Sequence, residues 1–413
     1  MSGFRGTHEF LTCGAELAVM PLPSRRLMCF EVRILAGMCE EPEDQLGLAR
    51  VVQETVTKGT KRRSAQELSD AFDAIGAVRG SGVGRETTSF SCSVLPEHFE
   101  RAVELHAEFL REPTFPPEMV EVAVELSRQE HLALADDPQE LLDKHLSRLM
   151  LGPVLGRHEL GEPQTLDALT PEAVAEHWAK IGCAGRMQIS AAGPIEPERV
   201  RSVFERAFAG WGGAGRVGRA SHPVRFTPGR THFPKELEQE QMSIAFPGVG
   251  ITDEKYAVQR VMLGVLSGGM SGRLFTEVRE KQGLVYWVGA WQETPRGCGF
   301  IVLGASTTPE RCDQTYRTLF RELDRLGEDL ADEELDRAKA TITARVQTRG
   351  YTTRSLCAEL ADDLFYRGRP MSHEEKLARV QAVTTGDIRA FLQAHPRDRL
   401  CVVTLGPKAL ESA

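Results

Sequence analysis

No stretch of this chain is apolar for long enough to span a bilayer, because charged or polar side chains interrupt every run of its 413 residues. A membrane-embedded body is therefore not expected. The N-terminal MSGFRGTHEFLTCGAELAVMPLP is broken at His8, Glu9 and Glu16, and so lacks the apolar core of a secretory signal. Excess positive charge is missing too: 50 Lys and Arg stand against 59 Asp and Glu, a net charge of −9. That balance disfavours nucleic acid or an anionic membrane as the principal partner. The nine cysteines are odd in number and form no C-x-x-C pair, which argues against a zinc knuckle or a disulfide framework. They read as reduced, mostly buried thiols of a cytoplasmic protein. The histidines show no metal-ligand spacing, and His98 and His106 read as surface residues of one helix. No Ser-His-Asp or Cys-His arrangement follows from spacing either.

What is present is apolar content of 41 % in patterns of both periods, enough for two or three domains. Residues 10–37 read as two strands around a Pro-containing turn. Ser64–Ile75, Glu97–Leu110 and Pro117–Leu134 have helical spacing, and Thr87–Leu95 reads as a strand. Mixed strands and paired helices predict an α+β fold. A repeat divides the chain. LTPEAVAEHWAKIG from Leu169, followed by RMQISAAGP (Arg186–Pro194), returns as VTTGDIRAFLQAHP from Val383, followed by RLCVVTLGP (Arg399–Pro407). Two homologous halves are expected, 1–211 and 236–413, each a mostly antiparallel sheet covered by helices. The Gly-, Arg- and Pro-rich 212–235 reads as a solvated linker between them.

The densest chemical signal is GLARVVQETVTKGT at 47–60. Leu48, Val51, Val52 and Val56 form an apolar helical stripe, which leaves Arg50, Gln53 and Glu54 together on another face. This is the spacing of the inverted zinc motif H-x-x-E-H, in which two imidazoles hold a metal and a carboxylate activates water. With KGT-x-x-RSA-x-EL after it, the segment resembles the pitrilysin/insulinase family of zinc metallopeptidases (inverzincins), whose members typically read GLAHFLEHMLFKGT. A second stretch, Gln129–Pro138, resembles that family's E-E-I-x-M-x-x-D-D-P and puts Glu130 on the third ligand position. The resemblance implies LuxS/metallohydrolase-like layers and a degenerate site: Arg50, Gln53 and Glu54 in place of His, Glu and His, with Glu130 kept.

Such a set is expected to bind no zinc, since Arg50 is a permanent cation and an amide cannot act as general base. Arg50 is instead expected to pair with Glu54 and Glu130. The family's substrate-pairing strand corresponds to Gly76–Thr88, where Gly80, Gly82 and Gly84 suggest a turn rather than a strand. The acidic run at 40–44 reads as a solvated loop, and Gly268-Gly269 as a tight turn. In the second half, LSGGMSGRLFTEVREKQGLVYWV (Leu266–Val288) resembles the segment whose arginine and tyrosine hold substrate, mapping to Arg279 and Tyr286. Alternatively Arg279 bridges a helix neighbour and Tyr286 packs beneath the sheet. In heterodimeric members one subunit carries H-x-x-E-H and the other the Arg/Tyr pair. The resemblance therefore implies a non-catalytic subunit of a zinc metallopeptidase. Its partner would be a homologous chain with intact H-x-x-E-H that holds the zinc and hydrolyses a shared peptide. An inactive peptide-binding or scaffold protein of the same fold, or a hydrolase of other chemistry, are the alternatives.

Overall fold

The computed structural model describes residues 4–212, 215–218 and 221–411. The fold is α+β. The strands of one sheet are β1 (Thr7–Phe10), β2 (Glu16–Pro21), β3 (Met28–Ile34), β4 (Val78–Val83), β5 (Thr88–Val94) and β6 (Met187–Gly193). Those of the other are β7 (Gly229–Pro234), β8 (Glu240–Gly248), β9 (Val285–Glu293), β10 (Gly299–Thr307) and β11 (Cys401–Gly406). Helices α1 (Leu48–Thr55), α2 (Ala65–Asp73), α3 (Phe99–Arg111), α4 (Pro117–Asp136), α5 (Pro138–Leu155), α6 (Pro171–Ile181) and α7 (Pro197–Phe208) occupy the first half of the chain. The second half carries α8 (Tyr256–Ser267), α9 (Cys312–Glu328), α10 (Asp332–Arg349), α11 (Thr353–Arg367), α12 (His373–Gln381) and α13 (Thr385–Ala394).

The internal repeat is a repeat of topology. The sheets run β1-β2-β6-β3-β5-β4 and β7-β11-β8-β10-β9. Leaving out β1, both have the spatial order first, fifth, second, fourth, third. In each, the closing strand read from the sequence repeat is parallel to the first strand and antiparallel to the second, as β6 to β2 and β3 and as β11 to β7 and β8. The helices before these strands start alike, with Thr170 and Thr384 accepting from Ala173 N and Asp387 N. Every residue of β6 and β11 is buried, as expected for continuous apolar runs covered on both faces.

The compact units do not follow the contiguous division at 211 and 236. One comprises Met1–Ala133, Arg157–Pro223 and Arg349–Ser372, and the other Leu134–Gly156, Val224–Thr348 and His373–Ala413. Helix α5, from the first half of the chain, packs on β8 and β11, while α11, from the second half, packs on β6 and β3. Helical periodicity shows that a helix has an apolar face but not which sheet covers it. The stretch read as a linker also contributes β7, which adds parallel to β11. All nine cysteines are free, with only Cys183 and Cys298 partly exposed. No helix among the described residues is long and apolar enough to cross a membrane.

The acidic run is not uniformly solvated. Glu41 is 4 % exposed, and its Oε1 accepts from Gly47 N (3.2 Å) and Ala49 N (2.8 Å), capping the first turn of α1. Burial pushes its carboxyl up to about 7 against the pull of those amides. The folded state thus holds a proton that the unfolded chain has released above the ordinary carboxylate range, so this group's contribution to stability falls as pH rises toward 7 and then levels. Glu41→Gln keeps the acceptor and cannot ionise. Urea unfolding between pH 5 and 8 is expected to show a shallower loss of stability in that variant, by about 3 kcal/mol over the window. Parallel curves would contradict the assignment.

Candidate functional site

Helix α1 buries Leu48, Val51, Val52 and Val56 in the first core, as their spacing requires, and turns Arg50, Gln53 and Glu54 toward its polar side. Gly47 begins the helix with φ 98° in the left-handed region, and a Cβ there would lie 3.1 Å from Leu160 O. A Cβ on Gly161 would fall 2.1 Å from Leu46 O. The two backbones are therefore pressed together, and Thr165 Oγ1 donates to Leu46 O across the join (2.7 Å). This contact delivers the 157–161 loop, and with it Glu159, to the start of α1.

Arg50 is the centre of the site. Its Nη1 donates to Glu159 Oε1 (2.9 Å) and its Nη2 to Glu130 Oε1 (3.0 Å), with Glu130 Oε2 also 2.9 Å away. The side chain is 17 % exposed. Glu130 is a partner as expected, but Glu54 makes no ion pair with Arg50, and Glu159 takes its place. Helical side chains lean toward the N-terminus, so Arg50 points away from a residue one turn further on and toward the incoming loop. Sequence reasoning missed Glu159 because only the Gly47–Gly161 approach brings it there.

Gln53 is 6 % exposed and donates from Nε2 to Ser81 Oγ of β4 (2.7 Å). The glycine-rich segment read as a turn is a regular edge strand, paired with β5 from Val78↔Ser93 to Val83↔Thr88. Ser91 and Ser89 hydroxyls add bonds to Gly80 O and Gly82 O, both 3.3 Å, which offsets part of the order that glycine costs. A pocket of about 320 Å³ opens beside Ser81, lined among others by Arg79, Phe90, His106 and Phe109. His106 is a core residue rather than a surface one. It sits against Phe30 and Phe72 with centroids at 4.8 and 5.1 Å, and burial pushes it down to about 4, so it is neutral at pH 7.

These residues do not suit a zinc ion. The first ligand position holds a guanidinium already forked onto two carboxylates, and the base position holds an amide spent on Ser81. Among the described residues no three His, Cys, Asp or Glu side chains converge as metal donors.

In the second unit Arg279 lies in a π-helical turn, Phe275–Glu280. It is exposed and, among the described residues, makes no ion pair; its Cζ stands 5.6 Å from the Tyr286 ring and 5.1 Å from that of Phe275. Tyr286 is 71 % exposed, not packed beneath the sheet. Thr307 pairs with Val285 and Ser306 with Trp287, which leaves Tyr286 as the extra residue of a β-bulge on edge strand β9. A bulge re-aims a side chain in this way. The turn is tied down by an arginine that no local pattern marks out. Arg273, 7 % exposed, bonds Glu334 through Nε (2.6 Å) and Nη2 (2.5 Å), and Asp329 through Nη1 (2.7 Å).

Known proteins resemble this chain over most of its length. Residues 23–159 match the family described as Insulinase (Peptidase family M16), and 168–342 match its companion, Peptidase M16 inactive domain. The chain belongs to the M16 peptidase family. An uncharacterized zinc protease of Streptomyces coelicolor is 28 % identical over 403 residues, covering 95 % of this chain and 88 % of that protein. The uncharacterized zinc protease YmxG of Bacillus subtilis is 25 % identical over 376 residues, covering 90 % and 91 %. A crystal structure of a peptidase M16 inactive domain from Pseudomonas fluorescens superposes with a TM-score of 0.89 at 20 % identity, covering 99 % of both chains. A Helicobacter pylori protease gives 0.86 at 14 %, covering 97 % of this chain and 99 % of that one. At those identities the two structures speak for the fold of this M16 protein alone.

If Arg50 is what holds the carboxylates together, removing it leaves Glu130 and Glu159 facing each other without a cation. Arg50→Ala is expected to lower the unfolding free energy by about 1–2 kcal/mol in low salt, Arg50→Lys by less, and 1 M NaCl to shrink the difference. Adding Glu130→Gln and Glu159→Gln to Arg50→Ala should restore most of it. Denaturant titration checks all four, and an Arg50→Ala protein as stable as wild type would contradict the pairing.

Proposed function

We propose that this chain is a non-catalytic subunit of a zinc metallopeptidase, which helps hold a peptide hydrolysed at the metal of a homologous partner with intact H-x-x-E-H. The observation that carries the reading is the fork of Arg50 onto Glu130 and Glu159. A cation fixed by covalent attachment to the motif helix stands between carboxylates brought by α4 and by the 157–161 loop, which leaves no place for a metal to activate water, and Gln53 cannot accept a proton.

The substrate-holding groups have kept their chemistry. Arg279 has five donors uncommitted to any carboxylate, stacked beside Tyr286, whose hydroxyl is presented to solvent by the bulge. An arginine and a tyrosine so placed can hold a peptide carbonyl and hydrogen-bond oxygen as charge develops on it. Edge strands β4 and β9 present unpaired backbone groups to which an extended peptide can add. The chemistry itself is assigned to the partner, and this chain contributes binding and orientation.

The test is reconstitution with a homologous subunit carrying H-x-x-E-H, followed by a peptide-hydrolysis assay. The pair is expected to turn over, and Arg279→Ala or Tyr286→Phe in this chain to reduce kcat/KM about 10- to 1000-fold. Unchanged turnover in both variants would favour a scaffold role. Zinc-dependent hydrolysis by this chain alone would contradict the proposal.

A further inference from the structure

The first sheet ends at β4, which among the described residues has no strand on its outer side. Successive residues of a strand face opposite ways, so Val78, Gly80 and Gly82 share one face with their partners Ser93, Ser91 and Ser89 on β5. Further into the sheet that face is covered by α11, whose Cys357 meets Cys29 and Ala192. At the edge it is a shelf of two glycines bordered by hydroxyls.

Arg354, near the start of α11, reaches over this shelf. A Cβ added to Gly80 would lie 3.2 Å from Arg354 Nη2 and 3.0 Å from Ser91 Oγ. Arg354 is exposed, and among the described residues it makes no ion pair. Arg33, on the same face, is by contrast committed to Glu31 (2.5 Å) and Asp362 (2.9 Å). An uncommitted guanidinium thus stands over the part of the edge strand that carries no side chains. The topologically equivalent edge, β9, is filled. A Cβ on Gly304 would lie 2.8 Å from both the Trp287 and Trp291 rings, so two indoles occupy the corresponding shelf.

We propose that Arg354 selects an acidic side chain at the residue lying beside Gly80 in an extended peptide added to β4. The inference rests on the peptide-holding role given above and names a preference within it. A strand added beside β4 would put alternate side chains on the glycine shelf, with Cβ roughly 5 Å from the neighbouring position. From there a Glu carboxylate reaches a guanidinium that already hovers at Gly80. Gly80 and Gly82 make the room: a larger residue at either would fill the shelf as the tryptophans fill the other edge. A Lys or Arg on the peptide at this place would meet like charge.

The experiment uses the full chain and fluorescein-labelled, threonine-rich decapeptides that carry Glu, Gln or Lys at each central position in turn, with affinity read by fluorescence anisotropy. Wild type is expected to bind the best Glu peptide about 5-fold more tightly than its Gln counterpart in low salt, and the preference to fade at high salt. Arg354→Gln should keep the affinity for the Gln peptide and lose the acid preference, while Arg354→Glu should transfer the preference to the Lys peptide. Because Arg354 is exposed and unpaired, these variants should fold normally, which circular dichroism checks. Acid preference that survives Arg354→Gln, or tight binding without acid preference in wild type, overturns the role of Arg354 and leaves peptide holding intact. Failure of wild type to bind any of the peptides counts against peptide holding itself, and this inference falls with it.

Discussion

A guanidinium forked between Glu130 and Glu159 is the interaction on which the first unit's polar site depends. Carboxylates gathered at a half-buried helix face repel one another unless a cation stands between them. In a zinc peptidase that cation is exchangeable and reactive; here it is tethered to the backbone at Arg50, permanently charged and chemically inert. The pairing relies on features that look unrelated in the sequence. Gly47 and Gly161 allow two backbones to touch, so that Glu159 arrives, and Glu41 caps the helix that carries Arg50. Gln53 ties the same helix to the edge strand through Ser81.

Much of this was legible in the residues. The apolar stripe of α1, the two repeated helix–strand units and the α+β class follow from local periodicity, which a chain displays wherever a face is buried. Glu130, the partner of Arg50, was recognisable because it lies within a contiguous motif. What escaped reading depends on contacts distant in sequence. Glu159 and Arg273 act on partners supplied by other elements, and helices α5 and α11 cover sheets belonging to the opposite half of the chain. The Gly-rich β4 was misread for another reason: glycine signals a loss of strand propensity, while the serine hydroxyls of β5 that compensate lie on the neighbouring strand.

The two halves share one strand order yet have parted at equivalent edges. In the first, the third strand carries glycines and a serine held by Gln53. In the second, it carries tryptophans over Gly304 and a bulge that turns Tyr286 outward. Duplicated topology supplied two edges of the same kind, and substitution gave them different surfaces. The motif helix carries Arg50 and a Gln53 bonded to Ser81, while the two edges present a glycine shelf on β4 and an outward Tyr286 on β9.

If Arg50 stands where a zinc peptidase holds its metal, the chain should carry none. The most direct measurement is the zinc content of the purified full-length chain by elemental mass spectrometry, with unfolding followed before and after a chelator. Zinc far below one ion per chain is expected, with an unfolding midpoint indifferent to the chelator. Stoichiometric zinc that is lost on Arg50→Ala or Glu130→Ala would contradict it.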